Sequence, residues 1–355
     1  MPLTLNYNIV SMKNIALTWW WTWGHIFPLI SIYNYLKNNS ELNFIWFGDE
    51  DGLEAELAMK NGMKFEHIPS WKIRRYFDIR NFFEPLKNLS WIFWGIYFIF
   101  YYKIDTIFSK WGFVGLPMCI AWAIMRKKVY IHESDTASGL ANRIISRFAT
   151  KIFYTFPNEK IDWKKHILIW QILNPELLNN VDKVWELEEN EKLEVLVIAG
   201  SQGSTIIFEN IKSILNNLID INFTIILGEK NLHFRTDFEK YNNVTLYDFA
   251  TQEELWEIYK KTDIAISRAW ATTLWELYFF WVHTIIIPLE WSAQNHQESN
   301  GTYFHETFGS DILKESDKLN LEIFRLLGKY KDLRKGWLNM KNFFYALDKI
   351  KEEIL

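Results

Sequence analysis

Short runs of β-branched, aromatic and aliphatic residues alternate along the chain with longer stretches of helical periodicity. Five such runs lie in the first half, at residues 14–18, 42–48, 104–109, 128–133 and 151–156. The pattern starts again at residues 193–200, 223–228, 243–249, 263–269 and 283–289. Continuous apolar runs separated by helical segments are typical of buried parallel strands covered by helices.

A polar, acidic stretch that contains Pro175 separates the two series. The sequence therefore predicts an α/β protein of two Rossmann-like domains facing each other across a cleft, residues 1–175 and residues 176–355. Residues 332–354 are predicted to form a C-terminal helix, which can pack back on the first domain.

Composition excludes several classes of protein. A net charge of −4 with 23% charged residues argues against nucleic-acid binding. The single cysteine, Cys119, excludes an intramolecular disulfide and is predicted to be a buried thiol in a reducing compartment. The N-terminus shows no signal-peptide pattern, and the most apolar stretch, residues 92–102, is half of the ~20 residues that a membrane-spanning helix needs. We expect a cytoplasmic protein that does not span a bilayer.

Three strand-to-helix turns have the position at which such folds hold phosphates with backbone N–H groups. They are TWWWTWGH at residues 18–25, AGSQGS at 199–204 and SRAWATTLWEL at 267–277. The second turn is rich in glycine, as a phosphate site requires, although glycine-serine turns are also common in purely structural loops. The first and third turns have tryptophan where glycine would let the backbone approach a ligand.

The tryptophans and glycines of this chain invite a joint explanation. Glycine accounts for 15 residues and tryptophan for 19, whereas usage of ~7% would give about 25 glycines. An indole carries roughly 150–250 Å² of surface, so it would fill the space of a phosphate in such a turn.

With glycine in the suspicious places, residues 17–28 become LTGGGTGGHIFP and residues 267–277 become SRAGATTLGEL. Together with IHESDTASGLANR (131–143), VIAGSQGS (197–204) and QNHQESN (294–300), these stretches resemble glycosyltransferase family 28, the MurG family. The resemblance runs in the family's order from about residue 15 to residue 301. It implies a GT-B fold and an inverting transfer of GlcNAc from UDP-GlcNAc to the 4-hydroxyl of a polyprenyl-pyrophosphoryl-linked muramoyl-peptide, without a cofactor.

The same resemblance suggests that many tryptophans are glycine in the native protein. Some bacteria translate the codon UGA as glycine, and a conceptual translation that assigns UGA to tryptophan would misprint those positions. The best candidates are Trp19, Trp20, Trp21, Trp23, Trp111, Trp170, Trp270, Trp275, Trp281 and Trp291. Trp46, inside a predicted strand, is expected to be genuine. The alternative is that all 19 are tryptophan and that the sugar site has decayed.

On the acceptor side, the resemblance implies a phosphate turn and a catalytic base. The turn is made of Thr18, Trp19, Trp20, Trp21, Thr22, Trp23 and Gly24. His25 follows it and matches the family histidine that could take the acceptor's proton or orient the acceptor. A histidine at a strand-to-helix junction can equally be a structural cap. His132, Glu133 and Asp135 match a second acceptor-side motif.

On the donor side, the resemblance assigns Ser201, Gln202 and Gly203 to the sugar nucleotide. Arg268, with Ala271 and Thr272 at a helix N-terminus, is expected near the phosphates. Glu276 matches the carboxylate that binds the ribose, and Gln297 matches the amide that recognises sugar and ribose. A solvated helix face and a polar loop are the structural alternatives for these two residues. No metal is implied, because the carboxylates of GDEDG (48–52) fit a helix cap better than a metal site.

Two departures from the family pattern concern the acceptor. Where the family commonly has H-E-Q-N, this chain has an acid, Asp135, in place of the last amide, and the usual arginine beyond Asn174 and Pro175 is missing. Donor identity is therefore better supported than acceptor identity. Another polyprenyl-linked or glycolipid acceptor, a non-catalytic sugar-nucleotide-binding protein and a nucleotide-sugar epimerase stay open as alternatives.

A basic and apolar region suggests a membrane surface. Between residues 60 and 128 the chain has 12 Lys/Arg against 4 Asp/Glu, interleaved with large apolar residues. Such a mixture suits peripheral binding to the anionic, cytoplasmic side of the cell membrane, and an epimerase would have no use for it. A buried helix with a solvated basic face is the alternative.

The recoding hypothesis predicts the codons. We expect UGA at the ten candidate positions and UGG at Trp46, as determined by sequencing the gene. UGG at every tryptophan would contradict the hypothesis and leave indoles in both turns.

Overall fold

A computed structural model describes residues 12–19, 23–48, 53–68, 84–110, 115–157, 164–173, 191–290, 292, 295–333 and 341–355. The chain folds into two compact units. The first comprises Met1–Glu133, Ser138–Pro175 and Tyr345–Leu355, and the second comprises Ser134–Ala137 and Glu176–Phe344.

The first unit is built on a seven-stranded parallel sheet. Its strands are β1 (Lys13–Trp19), β2 (Leu42–Gly48), β3 (Lys64–His67), β4 (Ile104–Lys110), β5 (Lys128–Glu133), β6 (Lys151–Tyr154) and β7 (His166–Leu168), in the order β3-β2-β1-β4-β5-β6-β7. Its helices are α1 (Trp23–Leu36), α2 (Leu53–Lys60), α3 (Glu84–Tyr101), α4 (Gly115–Ile124) and α5 (Leu140–Ile145).

The second unit has a six-stranded parallel sheet. Its strands are β8 (Leu193–Ile198), β9 (Ile221–Ile226), β10 (Val244–Tyr247), β11 (Ile264–Ser267), β12 (His283–Ile286) and β13 (Asp311–Ile312), in the order β10-β9-β8-β11-β12-β13. Its helices are α6 (Thr205–Ile214), α7 (Arg235–Phe238), α8 (Gln252–Lys261), α9 (Ala271–Phe279), α10 (His296–Phe308) and α11 (Leu319–Lys329). Helix α12 (Lys341–Ile354) ends the chain.

Strand order reverses once in each sheet, between β1 and β4 in the first unit and between β8 and β11 in the second. Chain connections diverge at such a switch point, so a crevice opens outside the carboxyl ends of the two strands, where α/β proteins bind ligands. The three tryptophan- or glycine-rich turns follow β1, β8 and β11, so each of them lies at a switch point.

The ten predicted strands and the two-domain parallel architecture are confirmed. Three strands were not predicted: KFEH (β3), HIL (β7) and DI (β13). They are too short or too polar to show the apolar pattern of a strand. The last helix is described over Lys341–Ile354, within the predicted residues 332–354, and residues 334–340 lie outside the described part.

Helix α12 belongs to the first unit from Tyr345 to its end, together with Leu355. Ala346, Leu347, Ile350 and Ile354 are almost fully buried, which is the i, i+4 spacing of one helix face. The Tyr130 hydroxyl donates to the Glu353 carbonyl at 2.7 Å, and Lys151 pairs with the Glu353 carboxylate at 3.4 Å. The C-terminus of the chain is thereby part of the first core.

The first core is closed by close packing of α3 on α4. A Cβ at Gly95 would lie only 2.7 Å from the Ala121 Cβ, so glycine permits this approach. Cys119, on α4, is fully buried, as predicted. Burial raises the pKa of its thiol to about 12, although a hydrogen bond with Ser109 partly opposes the shift. None of the described helices combines the length and the apolar character needed to cross a membrane.

Candidate active site

The turn after β8 depends on two glycines in the left-handed region of backbone conformation. Gly200 and Gly203 have φ of +77° and +74°, and a Cβ at Gly203 would lie 1.9 Å from the Leu227 carbonyl oxygen. A Cβ at Gly228, in the turn after β9, would lie 2.4 Å from the Gly203 nitrogen. Two glycine turns therefore pack backbone to backbone, which no other residue would allow.

Side chains of the neighbouring turn brace the same loop. The buried Asn231 amide donates to the Gln202 carbonyl at 2.7 Å, and Lys230 Nζ donates to Gln202 Oε1 at 2.8 Å. Ser201 and Gln202 are exposed. The loop thus presents polar groups to solvent from a rigid base.

Arg268 is buried beneath the turns, with 5% of its surface exposed. Its guanidinium donates to Ser204 Oγ at 2.7 Å and to the Ile287 carbonyl at 3.1 Å, and it pairs with Glu315 at 2.5 Å. Ser204 is the N-cap of α6. Arg268 therefore ties the loop after β8 to the end of β12 and to the loop before α11.

Glu276, predicted to bind ribose, lies on α9 with 8% exposure. The Tyr259 hydroxyl donates to its Oε2 at 3.2 Å, and Gln252 Nε2 donates to its Oε1 at 3.4 Å. Both partners come from α8, and neither was among the predicted site residues. A capping box, Thr251 with Glu254, marks the start of that helix in the sequence. No local signal, however, links Tyr259 to Glu276, which lies 17 positions further along the chain.

Gln297 lies on α10 and is almost fully buried. The Leu289 backbone N–H donates to its Oε1 at 2.9 Å, and its own backbone N–H donates to Ser292 Oγ at 3.3 Å. The amide is therefore held at the end of the loop that follows β12. Gln294, from the same motif, lies outside the described residues.

Asn300 explains how the chain tolerates an acid at position 135. Its amide group is fully buried and donates to Asp135 Oδ1 at 2.9 Å and to the Ala269 carbonyl at 3.2 Å, while its oxygen accepts from the N–H and hydroxyl of Thr136. A carboxylate accepts hydrogen bonds as readily as an amide oxygen does. Asp135 therefore accepts a hydrogen bond from Asn300. Both residues belong to the second unit, which includes Ser134–Ala137.

In the first unit, polar side chains gather near the carboxyl ends of the strands. Thr18 Oγ1 donates to Ser109 Oγ at 3.0 Å, His132 Nε2 lies 3.1 Å from Thr155 Oγ1, and Asn142 donates to Glu133 at 2.9 Å. Trp19 ends β1, and Trp23, Gly24 and His25 open α1. Trp20, Trp21 and Thr22 lie outside the described residues, as do Trp111 and Trp291.

Trp270 stands beside the turn after β8. It is the N-cap of α9 but offers no capping hydrogen bond, and 41% of its surface is exposed. Its indole Nε1 lies 2.8 Å from the position of a Cβ on Gly200, and its ring centroid is 5.8 Å from that of His296. The indole therefore covers the backbone of Gly200 at the β8/β11 switch point.

Trp281 has a backbone conformation that favours glycine, with φ of 58°. It follows the last turn of α9, where its N–H bonds the Tyr278 carbonyl and the Val282 N–H bonds the Leu277 carbonyl. This is a Schellman motif, whose left-handed position is usually glycine. Trp275 contrasts with it, because its indole is fully buried within about 6 Å of the rings of Phe304, Phe308 and Tyr278.

No group of three His, Cys, Asp or Glu side chains that could hold a metal ion occurs in the described part of the chain. Residues 49–52, which carry the acidic stretch considered above, fall outside that part.

Two parallel-sheet units with these turns have the fold of GT-B glycosyltransferases. The crystal structure of Acinetobacter baumannii MurG superimposes with a TM-score of 0.75 at 20% identity, covering 96% of this chain and 99% of that one. UDP-GlcNAc 2-epimerase from Neisseria meningitidis, bound to UDP-GlcNAc, has a TM-score of 0.64 at 13% identity over 96% and 99% of the two chains.

Sequence comparison separates the transferases from the epimerases. The glycosyltransferase family 28 N-terminal domain matches residues 15–154 and the C-terminal domain of that family matches residues 194–340, so the chain belongs to glycosyltransferase family 28.

Two clostridial relatives carry the same descriptive name, UDP-N-acetylglucosamine--N-acetylmuramyl-(pentapeptide) pyrophosphoryl-undecaprenol N-acetylglucosamine transferase. The protein of Clostridium kluyveri is 34% identical over 314 residues, 86% of this chain and 88% of the relative. That of Clostridium botulinum strain Langeland is 32% identical over 337 residues, 92% and 94% of the two chains.

The backbone at Trp281 generates a prediction about stability. In the chain with all its tryptophans, we expect Trp281→Gly to change the free energy of unfolding by less than about 1 kcal/mol, because relief of the left-handed backbone offsets the lost contacts. The control Trp256→Gly, at a buried position inside α8, is expected to cost about 4 kcal/mol. Urea unfolding measures both, and an equal loss in the two variants would contradict the glycine-like character of position 281.

Proposed function

We propose that this chain transfers GlcNAc from UDP-GlcNAc to the 4-hydroxyl of a polyprenyl-pyrophosphoryl-linked N-acetylmuramoyl-pentapeptide. The relatives' names support this reaction, and the family match spans both halves of the chain. The observation that carries the proposal is the Gly200–Gly203 turn, which lies at the switch point beside the N-terminus of α9.

The diphosphate of the donor is proposed to bind this turn. The backbone N–H groups around Ser201, Gln202 and Gly203 and those of Ala271 and Thr272 in the first turn of α9 can donate to phosphate oxygens, and the helix dipole adds to the attraction. Arg268 supports the site from below, because it holds Ser204 while Glu315 balances its charge.

The ribose and the sugar of the donor are proposed to be recognised by two side chains whose orientation is fixed by hydrogen bonds. Glu276 accepts from the ribose hydroxyls, and its burial with two donors from α8 supports a fixed orientation. Gln297 has its oxygen engaged by the Leu289 N–H, so its amide N–H groups are the natural contacts for sugar hydroxyls.

The chemistry follows from the groups assigned. His25 takes the proton of the acceptor's 4-hydroxyl while the oxygen attacks the anomeric carbon from the side opposite UDP. The bond from that carbon to the diphosphate oxygen breaks, and UDP leaves with the electron pair, stabilised by the N–H groups of the donor turn. The turn of Thr18–Gly24, with His132, Glu133 and Asp135, is proposed to bind the acceptor.

Membrane docking is proposed for one face of α3. Phe93, Trp94, Tyr97, Phe100 and Tyr101 follow helical spacing and are 49–66% exposed. Lys103, Arg126 and Lys128 are exposed near the ends of α3 and α4. Aromatic rings with flanking cations suit an anionic bilayer surface, such as the cytoplasmic leaflet that would carry the lipid-linked acceptor.

A transfer assay tests the reaction. We call the chain with glycine at the ten candidate positions the glycine form and the chain with all its tryptophans the tryptophan form. We expect the glycine form to convert UDP-GlcNAc and the lipid-linked muramoyl-peptide into UDP and the disaccharide lipid, and Trp270→Gly alone to raise the affinity of the tryptophan form for UDP-GlcNAc. His25→Ala should lower kcat by about 10²- to 10⁴-fold, whereas the control His233→Ala, an exposed histidine, should not change it.

The outcomes separate the alternatives. Transfer only to other polyprenyl-linked or glycolipid acceptors would support the proposed donor site but refute the muramoyl-peptide as the acceptor. Binding of UDP-GlcNAc without transfer to any acceptor in either form would refute the enzyme and favour the non-catalytic sugar-nucleotide-binding protein.

Vesicle flotation tests the membrane face. We expect the chain to bind vesicles that contain phosphatidylglycerol, and to bind less at high salt because cations and headgroups are then screened. The double variant Phe93→Ser and Phe100→Ser should weaken binding by roughly tenfold or more. The control pair, Leu321→Ser and Phe324→Ser on the exposed face of α11, should leave it unchanged, and an equal loss in both pairs would count against α3 as the docking face.

A further inference from the structure

We infer that Tyr259 is a positioning residue for the donor, which orients the Glu276 carboxylate so that it can receive both vicinal hydroxyls of a nucleoside diphosphate. The inference rests on the proposed ribose-binding role of Glu276 and adds a residue that does not itself contact the donor.

The geometry links two helices through one hydroxyl. Tyr259 lies on α8 with 1% of its surface exposed, and its hydroxyl donates to Glu276 Oε2 at 3.2 Å. The ring packs against Phe280, with centroids 5.4 Å apart, at the C-terminal end of α9. The hydroxyl is therefore held in place by packing on the same helix that carries the carboxylate.

Such a partner favours the binding of two hydroxyls at once, because it holds the glutamate carboxylate in one orientation. The last torsion of a glutamate side chain is broad rather than confined to staggered wells, so its two oxygens rotate easily. A carboxylate has about four lone-pair positions. The hydrogen bond from Tyr259 reaches Oε2 and that from Gln252 reaches Oε1, which fixes the carboxylate plane in which adjacent ribose hydroxyls would be received.

The tyrosine keeps its proton in this environment. Burial is the main cause that raises the pKa of Tyr259 well above its ordinary value, and the neighbouring Glu276 raises it further. The hydroxyl therefore stays a donor throughout the pH range of a stable protein, and a phenylalanine of almost the same shape would remove that hydrogen bond.

A cycle of two proteins and two nucleotides tests the inference. The dissociation constants of UDP and 2′,3′-dideoxy-UDP are measured by calorimetry for the parent and for Tyr259→Phe, in the form of the chain that binds UDP-GlcNAc. We expect Tyr259→Phe to weaken UDP roughly three- to tenfold and to leave the weaker binding of the dideoxynucleotide unchanged. KM for UDP-GlcNAc should rise by the same factor at constant kcat. Tyr241→Phe, a partly buried tyrosine packed on the core of the same unit, is the matched control.

Three results would overturn the inference. One is an unchanged affinity for UDP in Tyr259→Phe, and another is an equal loss for both nucleotides, which would show a general effect on the fold. The third is a parent protein that binds both nucleotides equally well. Transfer of GlcNAc by the parent is measured in parallel, so the reaction proposed above can stand even where this inference fails.

Discussion

Backbone contact between the turns after β8 and β9 is the constraint on which the candidate site of the second unit depends. Gly203 and Leu227 approach so closely that a Cβ at position 203 would overlap a carbonyl oxygen. Because both turns have positive φ at glycine, their peptide groups can lie side by side and turn their remaining polar atoms outward. A loop held in this way has little conformational entropy to lose when a phosphate binds it.

Buried polar residues connect the rigid turn after β8 to the rest of the second unit through hydrogen bonds. Arg268 joins three loops from the inside, and Asn300 joins the Asp135 segment to the Ala269 carbonyl. Each is a multiple donor that would be costly to bury unless its hydrogen bonds were made. Residues that resemble ligand contacts in the sequence thus act in part as internal supports of the loops around them.

The tryptophans fall into groups with different physical consequences. Trp281 occupies a left-handed backbone position that suits glycine, and Trp270 lies over the turn that a phosphate would use. Trp46 and Trp275 instead fill core volume, and the Trp275 ring packs edge-on against Phe304. Glycine would relieve strain at the first position and open space at the second, whereas it would leave a cavity at either core position.

The sequence by itself determined the parallel architecture, because ten short apolar runs between helical segments are buried as covered strands, and motif resemblance named Glu276, Gln297 and the glycine turn as site candidates. It could not reveal β3, β7 or β13, whose few residues acquire strand structure from neighbours already in the sheet. Only the tertiary structure decided that Arg268 points inward to Glu315 and that Tyr259 meets Glu276. Such contacts join residues far apart in the chain, and local periodicity carries no information about which side chains packing will bring together.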